Sequence, residues 1–166
     1  MKLTATKAGK SDKLDNLLCT RIDGTQTSVK MPRQGILPHD LIHYVVENTL
    51  GYRHGFLGEV AKGAAIDFAM QMSHDVAQTA PSPELTHAEA IVESLQAQLW
   101  SGAFDAAMFD EGVRSACLVR DCAPPVLADG AGQQLYDAVM ALGQRWQQLP
   151  FYASLILEMR VLQAAY

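Results

Sequence analysis

The sequence predicts an α+β fold, a small antiparallel sheet packed with a bundle of about five helices. Three observations predict it. Runs rich in Thr, Val and Ile flank an Asp23-Gly24 turn, the stretch from Pro38 to Gln148 repeats apolar residues at helical spacing, and the last segment returns to a period of two. Both ends of the chain therefore supply strands, and the helices lie between them.

Residues 1–13 carry Lys2, Lys7, Lys10 and Lys13 and read as a flexible, solvated tail of a single domain spanning 1–166. Leu17–Met31 follows as a hairpin. A two-residue Asp23-Gly24 loop sets Ile22 against Thr25, Thr20 against Thr27 and Leu18 against Val29, leaving Arg21, Gln26, Ser28 and Lys30 on the other face. Such a hairpin is marginal alone and needs a further strand or a helix to cover it.

Pro38 suits the first turn of a helix running to Leu50, which Gly51 stops. A second helix is expected from Gly55 to Val76, slim along Gly58, Ala61, Gly63, Ala64, Ala65 and Ala69, with tertiary packing offsetting the glycines. After a Gln78–Pro83 linker, a third helix spans Thr86 to Trp100, with Thr86 and Glu89 placed as a capping box. Phe104–Arg120 is a fourth, and a fifth runs from an Asp129 cap to Gln148, closed by Pro150. In Ala153–Leu162, Leu155, Leu157, Met159 and Val161 alternate with Ile156, Glu158 and Arg160, which predicts a strand. The residues of that segment are also good helix formers, so a helix continuing from Phe151 is the competing assignment.

Composition narrows the function. With 49% hydrophobic and 19% charged residues, and no apolar run near the roughly 18 needed to span a bilayer, the chain reads as soluble, without a membrane partner. Leu3–Gly9 lacks the apolar core of a secretory signal, which argues for the cytoplasm. Cys19, Cys117 and Cys122 are odd in number and form no Cys-x-x-Cys pair, so no disulfide framework is expected and they read as core thiols. A net charge of −5 argues against a nucleic-acid partner.

The first helix carries the most distinctive chemistry. At about 100° per residue, His39, His43, Glu47 and Asp40 fall within one quadrant, at about 0°, 40°, 80° and 100°. Leu41, Ile42, Val45, Val46 and Leu50 take the other side. Imidazoles at i and i+4 can place two nitrogens on one divalent ion such as zinc, and Glu47 one turn on can supply a third ligand or orient a ring. Asp40, and His54 folding back past Gly51, are candidates for outer support. The same groups fit a structural or partner-facing helix, since Asp40 suits a helix N-terminus and His43 with Glu47 is a simple i,i+4 pair.

His39-Asp40-x-x-His43 resembles the His-Glu-x-x-His signature of zinc metalloproteases over these five residues. Asp in place of the catalytic Glu is one methylene shorter, and no third His follows at the metzincin spacing, so protease activity is not expected. The longer run Leu37-Pro38-His39-Asp40-Leu41-x-His43-Tyr44-x-Val46-Glu47 resembles a motif of bacterial proteins without an assigned activity. That resemblance implies a hairpin before the motif and a glycine-containing helix after it. It brings no catalytic residue.

Glu84-x-x-His87 with Asp40-x-x-His43 admits a di-metal reading of the ferritin-like kind, with Glu59, Asp67, Glu93 and Glu111 as further carboxylates. Asp67 and His74 share a face of the second helix and could meet the first helix's polar stripe. Gly130-x-Gly132 lacks a third glycine, and neither a phosphate-binding loop nor a serine-hydrolase elbow occurs. Two functions remain: a non-catalytic domain that binds a partner or itself as a homo-oligomer, or a divalent-metal-binding protein with hydrolytic potential.

Overall fold

The computed structural model describes residues 1–74 and 82–160. Four strands form one antiparallel sheet: β1 (Lys2–Thr6), β2 (Leu14–Thr20), β3 (Gln26–Pro32) and β4 (Ser154–Glu158), in the order β3-β2-β1-β4. Between β3 and β4 run α1 (His39–Leu50), α2 (Phe56–Ala61), α3 (Ile66–His74), α4 (Pro83–Ser101), α5 (Ala106–Val119) and α6 (Ala131–Gln148). The fold is α+β as the sequence predicts, and the C-terminal segment is a strand over its described part. Residues beyond Arg160, the expected helix end at Val76, most of the Gln78–Pro83 linker and the His74 side chain lie outside the described residues.

The expected tail is in fact an interior strand. β1 pairs with β2 on one side (Leu3 opposite Cys19) and with β4 on the other (Leu3 opposite Leu157). Its alternation explains why: Leu3 and Ala5 are fully buried, while Lys2 faces water. Lys7 then ties the strand to α6 by donating from Nζ to the carbonyls of Trp146, Gln147 and Leu149, each at 3.0 Å. Those carbonyls close a helix C-terminus, where a cation is favoured.

The hairpin forms between the expected runs but one residue out of the expected register. Leu17 faces Val29 and Leu18 faces Ser28. Arg21 donates its N–H to Thr25, so Ile22, Asp23 and Gly24 together make a three-residue loop with Gly24 at φ +85°. A positive-φ glycine closing a three-residue loop is the next most favoured hairpin after the two-residue form. Because side chains alternate, the shift sends Leu17, Cys19 and Met31 to the core and leaves Ile22 exposed.

The expected second helix breaks in two. Lys62 ends α2, and Gly63 at φ +120° turns the chain into α3. Arg21 holds the break, donating from Nε to Val60 O and from Nη2 to Ala64 O at 2.6 and 2.7 Å. Helix α4 starts at Pro83, so the Thr86–Glu89 capping box does not form, and both residues are buried. Gly130, at φ +76°, rather than Asp129 caps α6. One sheet face and the apolar sides of the helices share a continuous core that includes Leu3, Leu17, Met31, Leu41, Ile91 and Leu135. Among the described residues no helix is long and apolar enough to cross a membrane.

Candidate metal centre

Burial fixes the rotation of α1 more fully than amphipathicity suggests. Leu41, Ile42, Val45 and Val46 enter the core, but so do Asp40, His43 and Glu47, because α1 packs on α2, α4 and α6. Three of the four residues of the polar quadrant therefore face other helices, and His39 stands at its solvent side.

His43 is the hub. Its ring is completely buried and donates from Nδ1 to Glu47 Oε1 and from Nε2 to Glu89 Oε2, both at 3.1 Å. Phe56 meets the ring edge-on, with centroids 5.0 Å apart. Burial disfavours the charged ring, yet the bonds to Glu47 and Glu89 outweigh it and lift the His43 pKa to about 10. The raised pKa favours an imidazolium between the two carboxylates.

Glu89 comes from α4. Its carboxylate also stands 3.4 Å from His39 Nε2. Burial would raise its pKa, but hydrogen bonds from His39 and His43 hold it well below the usual carboxylate range. The rings of His39 and His43 meet edge to face, with centroids 4.7 Å apart. One nitrogen from each ring and a Glu89 oxygen all lie within 4.8 Å of one another. Tetrahedral ligands on zinc at about 2.1 Å are separated by about 3.4 Å, a spacing each ring nitrogen already keeps from its nearer Glu89 oxygen, at 3.4 and 3.1 Å. His39 is 24% exposed, whereas Glu89 is 1% exposed, so the cluster approaches solvent on the His39 side.

Glu47 stands behind the ring. Its Oε1 also accepts from Leu57 N and its Oε2 from Gly58 N, at 3.1 and 3.0 Å. Both oxygens are thereby committed to the start of α2 and to His43 Nδ1. Of the two roles expected for Glu47, these bonds match the orienting one and not the ligand: it holds the ring and fixes which nitrogen faces Glu89. Gly55 and Gly58 permit the approach, since a Cβ on Gly55 would meet the Glu47 carboxylate at 2.5 Å and one on Gly58 would meet Arg53 O at 2.5 Å.

The other candidates go elsewhere. Asp40 is buried, its Oδ1 meets no hydrogen-bond partner among the described residues, and burial raises its pKa against the pull of His39 and His43. It does not belong to the three-donor group. His54 is 54% exposed and lies beside Glu59 at 3.2 Å, away from the cluster. Glu84 accepts from the backbone N–H groups of Arg53 and His54, and His87 donates from Nε2 to Ala123 O at 2.8 Å, so the Glu84/His87 pair does not converge with Asp40 and His43.

The residue that sequence reasoning missed is Glu89. Its position was legible as a carboxylate on the buried stripe Leu85, Glu89, Val92 of α4, a place where an unpaired charge would be costly. No protein-family model, curated protein or solved structure matches this chain.

Proposed function

We propose that this chain binds one divalent metal ion through His39, His43 and Glu89, with Glu47 positioning the His43 ring. The observation that carries the reading is the approach of His39 Nε2 and His43 Nε2 to one buried carboxylate, at 3.4 and 3.1 Å. Two imidazoles and one carboxylate suit zinc or a neighbouring first-row ion better than magnesium or calcium, which prefer all-oxygen shells. Binding replaces the Nε2 proton of His43, while Glu47 retains the proton on Nδ1. The cysteine pattern and the motif resemblance support a cytoplasmic, bacterial setting for it.

A second reading rests on the same hub. Glu47, His43 and Glu89 form a buried charge triad joining α1, the start of α2 and α4, which can serve as an interhelical clamp in a non-catalytic, partner-binding domain. Protein purified without an affinity tag, stripped with chelator and equilibrated with Zn(II) separates the two. The metal reading expects a near-stoichiometric ion by elemental analysis, lost in His43→Ala. A wild type that stays empty overturns it and leaves the clamp.

A further inference from the structure

The C-terminus of α5 brings two cysteines together. Asp121 N–H donates to Leu118 O at 3.1 Å and Cys122 N–H to Cys117 O at 3.0 Å, around Asp121 at φ +50°. These two bonds define the Schellman closure of a helix, in which the side chains of the two residues joined by the longer bond commonly touch. In this chain both of those residues are cysteine.

The backbone distance suits a bond between them. A carbonyl O lies about 2.4 Å from its own Cα and an amide N about 1.5 Å, so a 3.0 Å hydrogen bond keeps the Cα atoms of Cys117 and Cys122 within about 7 Å, and closer once the angles bend. Disulfides span Cα separations of about 4.4–6.8 Å. Cys117 is buried on the core side of α5, whereas Cys122 is half-buried, with its Sγ 3.7 Å from His87 Nε2 on α4 and 3.5 Å from Ala123 O. Cys19, buried in the sheet, has no cysteine near it in sequence.

We propose that Cys117 and Cys122 are a redox pair that closes to a disulfide across the end of α5. Cys122 is the reacting thiol because it reaches solvent. Burial, and then the neighbouring Cys122, hold the Cys117 thiol above the usual range, which makes it the less reactive of the two. With hydrogen peroxide as oxidant, the Cys122 thiolate attacks one peroxide oxygen. An S–O bond forms, the O–O bond breaks, and the departing hydroxide takes up the proton released by Cys122 to become water. The Cys117 sulfur then attacks the Cys122 sulfur. The S–S bond forms, the S–O bond breaks, and hydroxide leaves with the Cys117 proton as a second water. Two thiols and one peroxide become one disulfide and two waters.

Arg120 lies between the two cysteines, which makes the product easy to read. Full-length protein is reduced, treated with hydrogen peroxide, alkylated after unfolding and digested with trypsin. The expected product is a crosslink between Ser115–Arg120 and Asp121–Arg145 that lacks two hydrogens, is reversed by dithiothreitol, and is accompanied by a fully alkylated Cys19. In Cys122→Ser, a near-isosteric change at a half-buried position outside the apolar core, the crosslink disappears and Cys117 stays alkylatable. Over-oxidation of Cys122 beside a freely alkylatable Cys117, or a crosslink formed only between molecules, overturns the proposal.

Discussion

The Glu47 carboxylate lies 2.5 Å from where a Cβ on Gly55 would stand, so the residue that braces His43 also keeps the entry to α2 bare. Gly55→Ala must push the carboxylate off Leu57 N, Gly58 N or His43 Nδ1. Overpacking of this kind costs about 1–3 kcal/mol. Urea unfolding is expected to show that loss together with weaker zinc uptake, and an unchanged midpoint would mean that Glu47 has another place to go.

Glu89→Gln removes the negative charge facing the buried His43 ring. Leaving half of a buried charge pair costs about 3–5 kcal/mol. The variant is expected to unfold at clearly lower urea and to hold no zinc.

His39→Ala separates the two functional readings. His39 is partly exposed and touches the cluster through Glu89 and the His43 ring edge. If an ion is bound, losing one of its donors lowers affinity at least tenfold while stability falls by less than in Glu89→Gln. Titration with a competing chelator measures this, and equal affinity in variant and wild type would exclude His39 as a ligand.

Asp15 gives the fold an acid limit. It is buried, and although burial favours its neutral form, bonds from Arg33 and from Ala8 N–H outweigh that and lower its pKa. A lowered folded pKa contributes stability that is complete above the unfolded value of about 3.9 and is lost as pH falls through the folded value. The urea midpoint gap between wild type and Asp15→Asn should therefore be widest near neutral pH and shrink steadily below about pH 4. A gap independent of pH would assign the effect to packing.

Lys7→Met tests the tie between β1 and the end of α6. It keeps the apolar stem but withdraws three donated bonds from the carbonyls of Trp146, Gln147 and Leu149. A loss of about 1.5–3 kcal/mol follows from hydrogen bonds to a charged group. Thermal unfolding and hydrogen exchange near residue 148 report it.

What could be read from the sequence was local. α1 announced itself through Pro38, its apolar spacing and Gly51, and His39 and His43 could be placed on one face because they share a helix. Glu89 could not be added, because 46 residues separate it from His43 and only the packing of α1 on α4 brings them together. Glu47 could be placed near His43 as either ligand or ring orienter, and the sequence could not choose between them because its other partners are amides of α2. The hairpin slipped because Asp23-Gly24 fits two loop lengths, and the choice falls to burial of Leu17 and Cys19. The lysines of 1–13 masked a buried Leu3/Ala5 alternation too short to stand out.

The strand order has a consequence for synthesis. β1 pairs with β2 as soon as both have emerged, but its other edge is filled by Ser154–Glu158, with Lys2 opposite Glu158. Until then every helix has been made while the open side of β1 offers unpaired amides and carbonyls to any extended strand nearby. Contacts of such long sequence separation close slowly. A ribosome paused before Ser154 therefore carries a nascent chain with this edge still exposed, and any shortage of chaperone capacity should be felt in that interval.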